Sequence, residues 1–450
     1  MRAVCLRILR RFAELGGQPR TILLTAVALR LAFLIVLAPW HNDFERFVAH
    51  APNADSGSYH EVALFLMRFW NRPEAAQAAL SHDPELVHAI LNRPPGYPMV
   101  LALVYSIFGI RPLGVIVLQI VLDALGCWLV LRGLRDEFGT RGSALGGWLY
   151  AVNPLLITYT GHVLSESLFV FLLTAALYLL LRLRADAPAW QAFLLGLVVG
   201  LGVSVRASLL YWAPVLGLIL LTLHRSWAQR GQVIGLYLLG LACVIGIWKG
   251  YNFVHYGSTR LTLSGEIHLL HMAAYIRAGM QEGPSAVRAP LIAAACQRMQ
   301  ADGLDPNRAI FERGRYYRAV FLEEFHRQPQ VFLREWLRGM AIFWRSAGGV
   351  DVNSDRLLRW QALRYVFWAY HLAYVCLICI GCWAVLRVPP MRVWGWFFLV
   401  AAAYFTVTAG WAGQPRYRLQ VFPFSIPMVA ALGRQTPNPH LFGDAKRQRV

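Results

Sequence analysis

The stretch Asn53-Ala54-Asp55-Ser56-Gly57-Ser58-Tyr59-His60-Glu61 puts a carboxylate where a hydrophobic segment has just ended. Apolar residues follow at Tyr59, Val62, Ala63, Leu66, Phe69 and Trp70, the spacing of one helix face. Asp55 lies one turn before Tyr59 on that face, at the start of a helix expected to lie on the membrane surface. A carboxylate there is placed for general-base work; the blander reading is that Asp55 or Ser56 only caps the helix. Arg93, His162, Glu166, Arg206, Arg416 and Arg418 also fall near the ends of apolar segments. Ionisable groups at membrane depth are costly and default to functional roles. One such arginine is usually a snorkelling anchor. Several, converging with one or two carboxylates, suit an anionic lipid headgroup held by guanidinium forks beside a base.

The elements that must position these residues are membrane helices. Of the 450 residues 57% are hydrophobic and only 15% charged, which a soluble chain of this length rarely matches. Apolar windows of about 20 residues recur, enough to cross a bilayer core. The fold class expected is an all-α polytopic membrane protein. The net charge of +19 could suggest nucleic acid. Its arginines lie between hydrophobic spans without a basic helix or RNA-binding signature, so membrane topology and anionic lipid explain them better. Cys376, Cys379 and Cys382 are spaced like metal ligands, but inside an apolar span they read as packing residues.

Span one is expected over 21–40, after a basic tail and without a cleavage site, so it reads as a retained helix. Residues 41–111 are too polar for lipid, and the apolar run 99–108 is short for a span, so it reads as a surface or re-entrant helix. Further spans are expected at 113–134, 143–158, 165–181, 190–205, 209–223 and 233–253. Arg132, Arg135, Arg141, Arg182, Arg184, Arg225 and Arg230 then fall inside by the positive-inside rule. Residues 254–360 form a long external region of short helices, with 332–344 along the interface. Spans at 362–386, 393–409 and 419–432 complete about ten, with both termini cytoplasmic. The chain thus divides into 1–253, a transmembrane part whose first external loop (41–112) holds Asp55; 254–360, the external, acceptor-side region; and 361–450, the last helices and a basic tail.

Asp55-Ser56-x-x-Tyr59, Asn92-Arg93-Pro94-Pro95-Gly96-Tyr97-Pro98, Asn153-Pro154 followed by Ser165-Glu166-Ser167-Leu168-Phe169, and Arg416-Tyr417-Arg418 followed by Pro423 resemble the GT-C superfamily of membrane glycosyltransferases. The nearest branch is the bacterial relatives of protein O-mannosyltransferases and lipid A aminoarabinose transferases. The resemblance covers the first seven spans well and the final motif more loosely. It implies a GT-C fold, a polyprenyl-phosphate-linked sugar donor and reaction at the outer face of a bacterial inner membrane. Asp55 then maps to the catalytic base, Arg93 to the group approaching the donor phosphate, and Glu166 to an acid at the start of the fourth span. Aminoarabinose transferases carry an acidic residue before the basic one, which helps bind a metal; here that position is Asn92. Glu266, His268 and His271 are the remaining candidates for a divalent metal, and interfacial histidines are the commoner explanation.

The chemistry fits without a metal, because arginine can neutralise the leaving phosphate. One base and one displacement imply inversion at the anomeric carbon, and no second carboxylate pairs for retention. Asp55 and Glu166 are the candidate catalytic acids. Arg93, Arg206, Arg416 and Arg418 are the phosphate-binding candidates. Tyr59, Tyr97 and His162 are the other substrate-binding candidates. Alternatives stay open: Glu166 as a cap, His162 as a satisfied interfacial histidine, Arg206 and one of Arg416 and Arg418 as anchors, and Asn153-Pro154 as a helix break. A lipid or polysaccharide transporter would place charge nearer the midplane, and an O-antigen ligase or polymerase would concentrate its chemistry in a late loop. The acceptor expected is a lipid, glycan or protein, with membrane lipids as neighbours and no nucleic acid.

Overall fold

The structure is a computed structural model that describes residues 18–37, 55–69, 72–82, 84–183, 187–223, 226–278, 284–347, 361–410 and 413–434. The described residues are all helix, turn and coil, with no strand. Among the described residues four helices are long and apolar enough to cross a membrane: Pro112–Ala151, Trp227–Tyr256, Tyr365–Arg387 and Arg392–Ala409. The expected first span is helix α1, Pro19–Leu37; the rest of 21–40, with Trp70 and the 41–54 part of the first loop, lies outside the described residues.

The segment Pro112–Ala151 holds two expected spans. Its backbone leaves helical geometry at Gly139, where φ is 71°, a left-handed conformation that glycine adopts without steric cost. The arms fold back on each other, with the Ser143 hydroxyl donating to the Leu131 carbonyl at 2.6 Å. The third span was expected to reach 158 but stops at Ala151. Asn153 accepts from the amides of Leu155 (3.0 Å) and Leu156 (3.3 Å), starting a separate short helix, Pro154–Thr160. That is N-capping, and it gives Asn153-Pro154 the helix-break role. Helix Glu166–Arg182 and helix Trp190–Val205 follow close to the expected bounds. The sixth expected span begins as a 3₁₀ turn, Ala207–Tyr211, before helix Ala213–Leu223.

The last expected span, 419–432, also needs correction. It is a 3₁₀ turn, Pro415–Gln420, followed by a ten-residue helix, Phe422–Ala431, buried from Phe422 to Ala430. The α-helix alone is about 15 Å long, half a bilayer core; with the 3₁₀ turn the rise is about 27 Å. The segment runs from the polar end of the bundle to Gly433, which abuts Gly142 beside the Gly139 turn.

The external elements form a second layer with its own core. Helices Asp55–Phe69, Pro73–His82 and Pro84–Asn92 pack on helices Ser264–Ala278, Pro284–Ala301 and Arg313–Arg327. Val62, Leu66, Leu80, Val87 and Leu91 meet Leu263, Ile267, Leu270, Leu291 and Tyr317, and the Leu263 amide donates to the Leu91 carbonyl at 2.8 Å. Two loops separated by some 170 residues of chain are therefore one apolar body. The run 96–108 is a single short apolar helix, Gly96–Phe108, too short to cross. Helix Pro329–Arg345 is amphipathic: Leu333, Leu337 and Ile342 are exposed among Arg334, Arg338 and Arg345, as an interfacial helix requires.

Inside the bundle Arg30 on α1 meets Asp123 at 2.6 Å, both about 1% exposed. The Arg30 guanidinium also donates to the Ala151 carbonyl, and the Tyr150 hydroxyl donates to Asp123 at 3.2 Å. This pair joins the first helix to both arms of the Gly139 hairpin. Removing one partner strands a buried charge, at a cost of about 3–5 kcal/mol, while an apolar pair of similar volume avoids it. Asp123→Ala is therefore expected to lower the melting temperature of the detergent-solubilised protein sharply, and Arg30→Met/Asp123→Leu to recover most of the loss. An Asp123→Ala protein that melts like wild type would remove this pair from the account.

Candidate active site

Helix Asp55–Phe69 begins at Asp55 itself, and its buried face, Tyr59, Val62, Ala63 and Leu66, is the one expected from the sequence. The buried face pins the helix to the neighbouring elements and leaves the carboxylate on the rim of a large cavity. Arg93 stands at the end of helix Pro84–Asn92, before the Pro94-Pro95-Gly96 turn. Gly96 packs so closely on Ser204 that a β-carbon would collide with that residue's backbone. The turn thus locks Arg93 against the end of helix Trp190–Val205, where Arg206 follows.

Five charged side chains meet here. Arg93 Nη2 lies 2.5 Å from Asp55 Oδ1, and Arg416 Nη2 lies 2.7 Å from Asp55 Oδ2. Arg206 pairs with Glu166 Oε1, and Arg416 reaches the same oxygen at 3.8 Å. Arg416 thereby bridges the two carboxylates. Aromatic rings wall the group: Tyr59 under the Arg93 guanidinium at 4.6 Å, and Tyr417 beside Arg416 at 5.1 Å and Arg206 at 5.7 Å. Such faces stabilise cations. Ser58 accepts from Arg93 Nε at 3.1 Å. Ser165 accepts from the Tyr59 hydroxyl at 2.9 Å and from Arg206 Nε at 3.2 Å. Ser165 does not cap the helix that follows it with its side chain, and Glu166 is an arginine partner there.

Electrostatics and burial fit an anion site. Burial alone would raise the Asp55 carboxyl, but the Arg93 and Arg416 guanidiniums outweigh it and hold it well below the usual carboxylate range. Arg416 Nε and Nη1 and Glu166 Oε2 are buried without a hydrogen-bond partner, an arrangement that costs free energy unless a ligand or water engages it. Asp55, Glu166, Arg93, Arg206 and Arg416 all line one cavity of about 950 Å³, with Tyr59, Asn92, Tyr417 and the segment 259–275.

Three expected residues lie elsewhere. Arg418 faces away from the cavity: it donates to the carbonyls of Phe343 (3.0 Å) and Ser346 and sits 3.3 Å from His371 Nε2. It satisfies the last carbonyls of helix Pro329–Arg345, the duty of a basic C-terminal partner. Tyr97 is buried and donates to Gln119 Oε1 at 2.9 Å. His162 is buried, with Nδ1 2.8 Å from the Thr158 carbonyl. Both hold the bundle behind the site. Glu266, His268 and His271 do line the cavity, but Glu266 pairs with Arg260 at 2.9 Å, His268 Nδ1 bonds the Ser264 carbonyl, and Arg288 sits 3.2 Å from His271 Nε2. A guanidinium beside a ligand nitrogen opposes a cation, and no group of three candidate ligands gathers among the described residues; these residues do not fit a metal. Sequence reasoning missed Ser58, Ser165 and Tyr417 as partners, and missed Arg30 and Asp123, which were findable as charges within apolar spans.

Part of the chain is similar to a known family. The model of the dolichyl-phosphate-mannose-protein mannosyltransferase family matches residues 92–248, about a third of the chain. This segment starts at the residue before Arg93 and contains Glu166 and Arg206; the motifs at Asp55 and Arg416 lie outside it. No curated protein sequence matches the chain. Among solved structures, the oligosaccharyltransferase AglB from Archaeoglobus fulgidus, in complex with an inhibitory peptide and a dolichol-phosphate, is 14% identical with a TM-score of 0.46, covering 92% of this chain and 50% of that one. ArnT from Cupriavidus metallidurans bound to undecaprenyl phosphate is 13% identical with a TM-score of 0.40, covering 91% and 77%. The chain spans about half the length of the archaeal enzyme.

The Arg418 assignment has a direct test. Arg418→Ala leaves helix-end carbonyls unsatisfied, a loss of about 1–3 kcal/mol, and is expected to lower the melting temperature by several degrees. An unchanged melting temperature would return Arg418 to the list of ligand-binding residues.

Proposed function

We propose that this membrane protein is a glycosyltransferase that moves a sugar from a polyprenyl-phosphate donor to an acceptor hydroxyl, with inversion, at the outer face of a bacterial inner membrane. The observation that carries the reading is the Asp55 carboxylate held between Arg93 and Arg416 on the rim of the cavity. Three guanidiniums face two carboxylates, so the group has one net positive charge. The donor's phosphodiester carries one negative charge and complements it. The match of residues 92–248 to a dolichyl-phosphate-mannose family supports the donor class.

In this reading the acceptor oxygen attacks the anomeric carbon as its proton passes to Asp55. The bond from that carbon to the phosphate oxygen breaks, and its electron pair stays on the phosphate. The leaving phosphate gains a negative charge as Asp55 loses one. Arg93 and Arg416, which hold Asp55 before reaction, can follow the charge to the phosphate with little reorganisation, which is electrostatic preorganisation. Glu166 positions Arg206 and Arg416 rather than taking a proton. The same geometry makes Asp55 a weak base in the free enzyme. A bound phosphate that draws on Arg93 and Arg416 raises its basicity only when donor is present.

Asp55→Asn keeps the size and loses the basicity, so turnover should fall by at least about 100-fold, while binding of undecaprenyl phosphate persists. In the free enzyme the Asp55 pKa is depressed, so the carboxylate is ionised above its ordinary value of about 3.9 and is lost only below it. kcat/KM should therefore stay flat down to about pH 5, with any acid limb confined to kcat. Near-normal turnover in Asp55→Asn, or a kcat/KM that drops between pH 7 and 6, would remove Asp55 as the base.

Arg93 tests the phosphate contact. A guanidinium grips two phosphate oxygens at once, which lysine cannot copy, and part of that grip appears only as charge builds on the leaving group. Arg93→Lys is expected to lower turnover more than donor affinity, and Arg93→Ala to lower both. Wild-type turnover in Arg93→Lys would make Arg93 a membrane anchor.

A further inference from the structure

A second set of cationic side chains lines the same cavity. Lys249, near the end of helix Trp227–Tyr256, is one, and Arg260, His268, His271 and Arg288 line the cavity with it. The segment around Arg260 is stapled to that helix: Trp248 Nε1 donates to the Leu261 carbonyl at 3.1 Å and Asn252 Nδ2 to the Arg260 carbonyl at 2.7 Å. Lys249 and Arg288 thus enter from different walls, one a membrane helix and the other the external layer.

The charges of this set do not balance. Glu266 is the carboxylate among them, and Arg260 already pairs with it. Among the described residues neither Lys249 nor Arg288 makes an ion pair, and Arg288 has only His271 beside it. Burial holds His268 below its ordinary pKa, so it adds no charge at neutral pH. Around Asp55, by contrast, three arginines meet two carboxylates, and one phosphodiester completes the balance. Two cations' worth of positive charge therefore remains in the cavity after the donor is bound. Like charges sharing a cleft with low-dielectric walls repel one another and focus a field that draws in an anion.

We propose that Lys249 and Arg288 form the subsite for an anionic group on the acceptor, a phosphate or a carboxylate. The acceptor is then a phosphorylated or acidic glycan or lipid, not a neutral hydroxyl of a protein side chain. The inference rests on the donor reading above, which assigns the Asp55 group to the donor's phosphate.

The test uses the full chain in nanodiscs of phosphatidylcholine, saturated with undecaprenyl phosphate, with glucose 1-phosphate and glucose as probes in calorimetric titrations. Glucose 1-phosphate should bind while undecaprenyl phosphate is present, and glucose at least about tenfold more weakly. Lys249→Gln/Arg288→Gln should weaken glucose 1-phosphate about tenfold and leave undecaprenyl phosphate affinity unchanged. Lys249→Arg/Arg288→Lys should keep the affinity for glucose 1-phosphate; both side chains are exposed, so neither pair of changes disturbs a core. Three results would overturn the proposal: displacement of glucose 1-phosphate by undecaprenyl phosphate, which assigns Lys249 and Arg288 to the donor; wild-type binding of glucose 1-phosphate by the Gln variant; and loss of the binding when phosphatidylglycerol is in the nanodisc, which makes the pair a lipid anchor. Failure of undecaprenyl phosphate to bind the wild type is a separate outcome: it defeats the donor reading, while the effect of the Gln variant on glucose 1-phosphate still decides this one.

Discussion

The site depends on Arg416 standing between two carboxylates. Its guanidinium contacts Asp55 on the first external helix and Glu166 at the start of a bundle helix. Arg93 and Arg206 close the group from either side. Removing any one charge leaves a partner uncompensated in a partly desolvated place, where such a loss is expensive. Five distant pieces of chain are therefore fixed relative to one another by charge: the helix at 55, the turn at 93, the helix start at 166, the helix end at 206 and the 3₁₀ turn at 416.

Apolar packing supplies what the charges cannot. The external layer has its own core, in which the helices of the early loop and those of the late region bury each other's side chains. This layer roofs the cavity, so residues 259–275 face Asp55 and Arg93 across it. Below, the Arg30–Asp123 pair holds the first helix to the Gly139 hairpin. The hairpin in turn carries the buried helix Phe422–Ala431, the continuation of the turn that bears Arg416.

The two arginines of Arg416-Tyr417-Arg418 show how local context divides identical chemistry. They are two residues apart on a 3₁₀ turn of three residues per turn, so they point in different directions. Arg416 enters the cavity and meets carboxylates. Arg418 meets the carbonyl end of helix Pro329–Arg345, which bears partial negative charge. The sequence motif treats them as a pair; the backbone separates them.

The sequence by itself determined the membrane class, most helix positions, the buried face of the helix after Asp55 and the gathering of Asp55, Arg93, Glu166, Arg206 and Arg416. Those follow from local quantities: apolar length against bilayer thickness, helical period, and the cost of a charge near lipid. Only the tertiary structure decided that Arg418, Tyr97 and His162 turn away from the cavity, that Glu266 and the histidines already have partners, and that the two external loops share a core. Each of these depends on which distant carbonyl, guanidinium or apolar face a side chain meets, and helical period carries no information about partners a hundred residues away. The short final helix escaped for a related reason. A mostly apolar run of 14 residues reads the same whether it faces lipid or lies wholly inside a bundle, and only packing distinguishes the two.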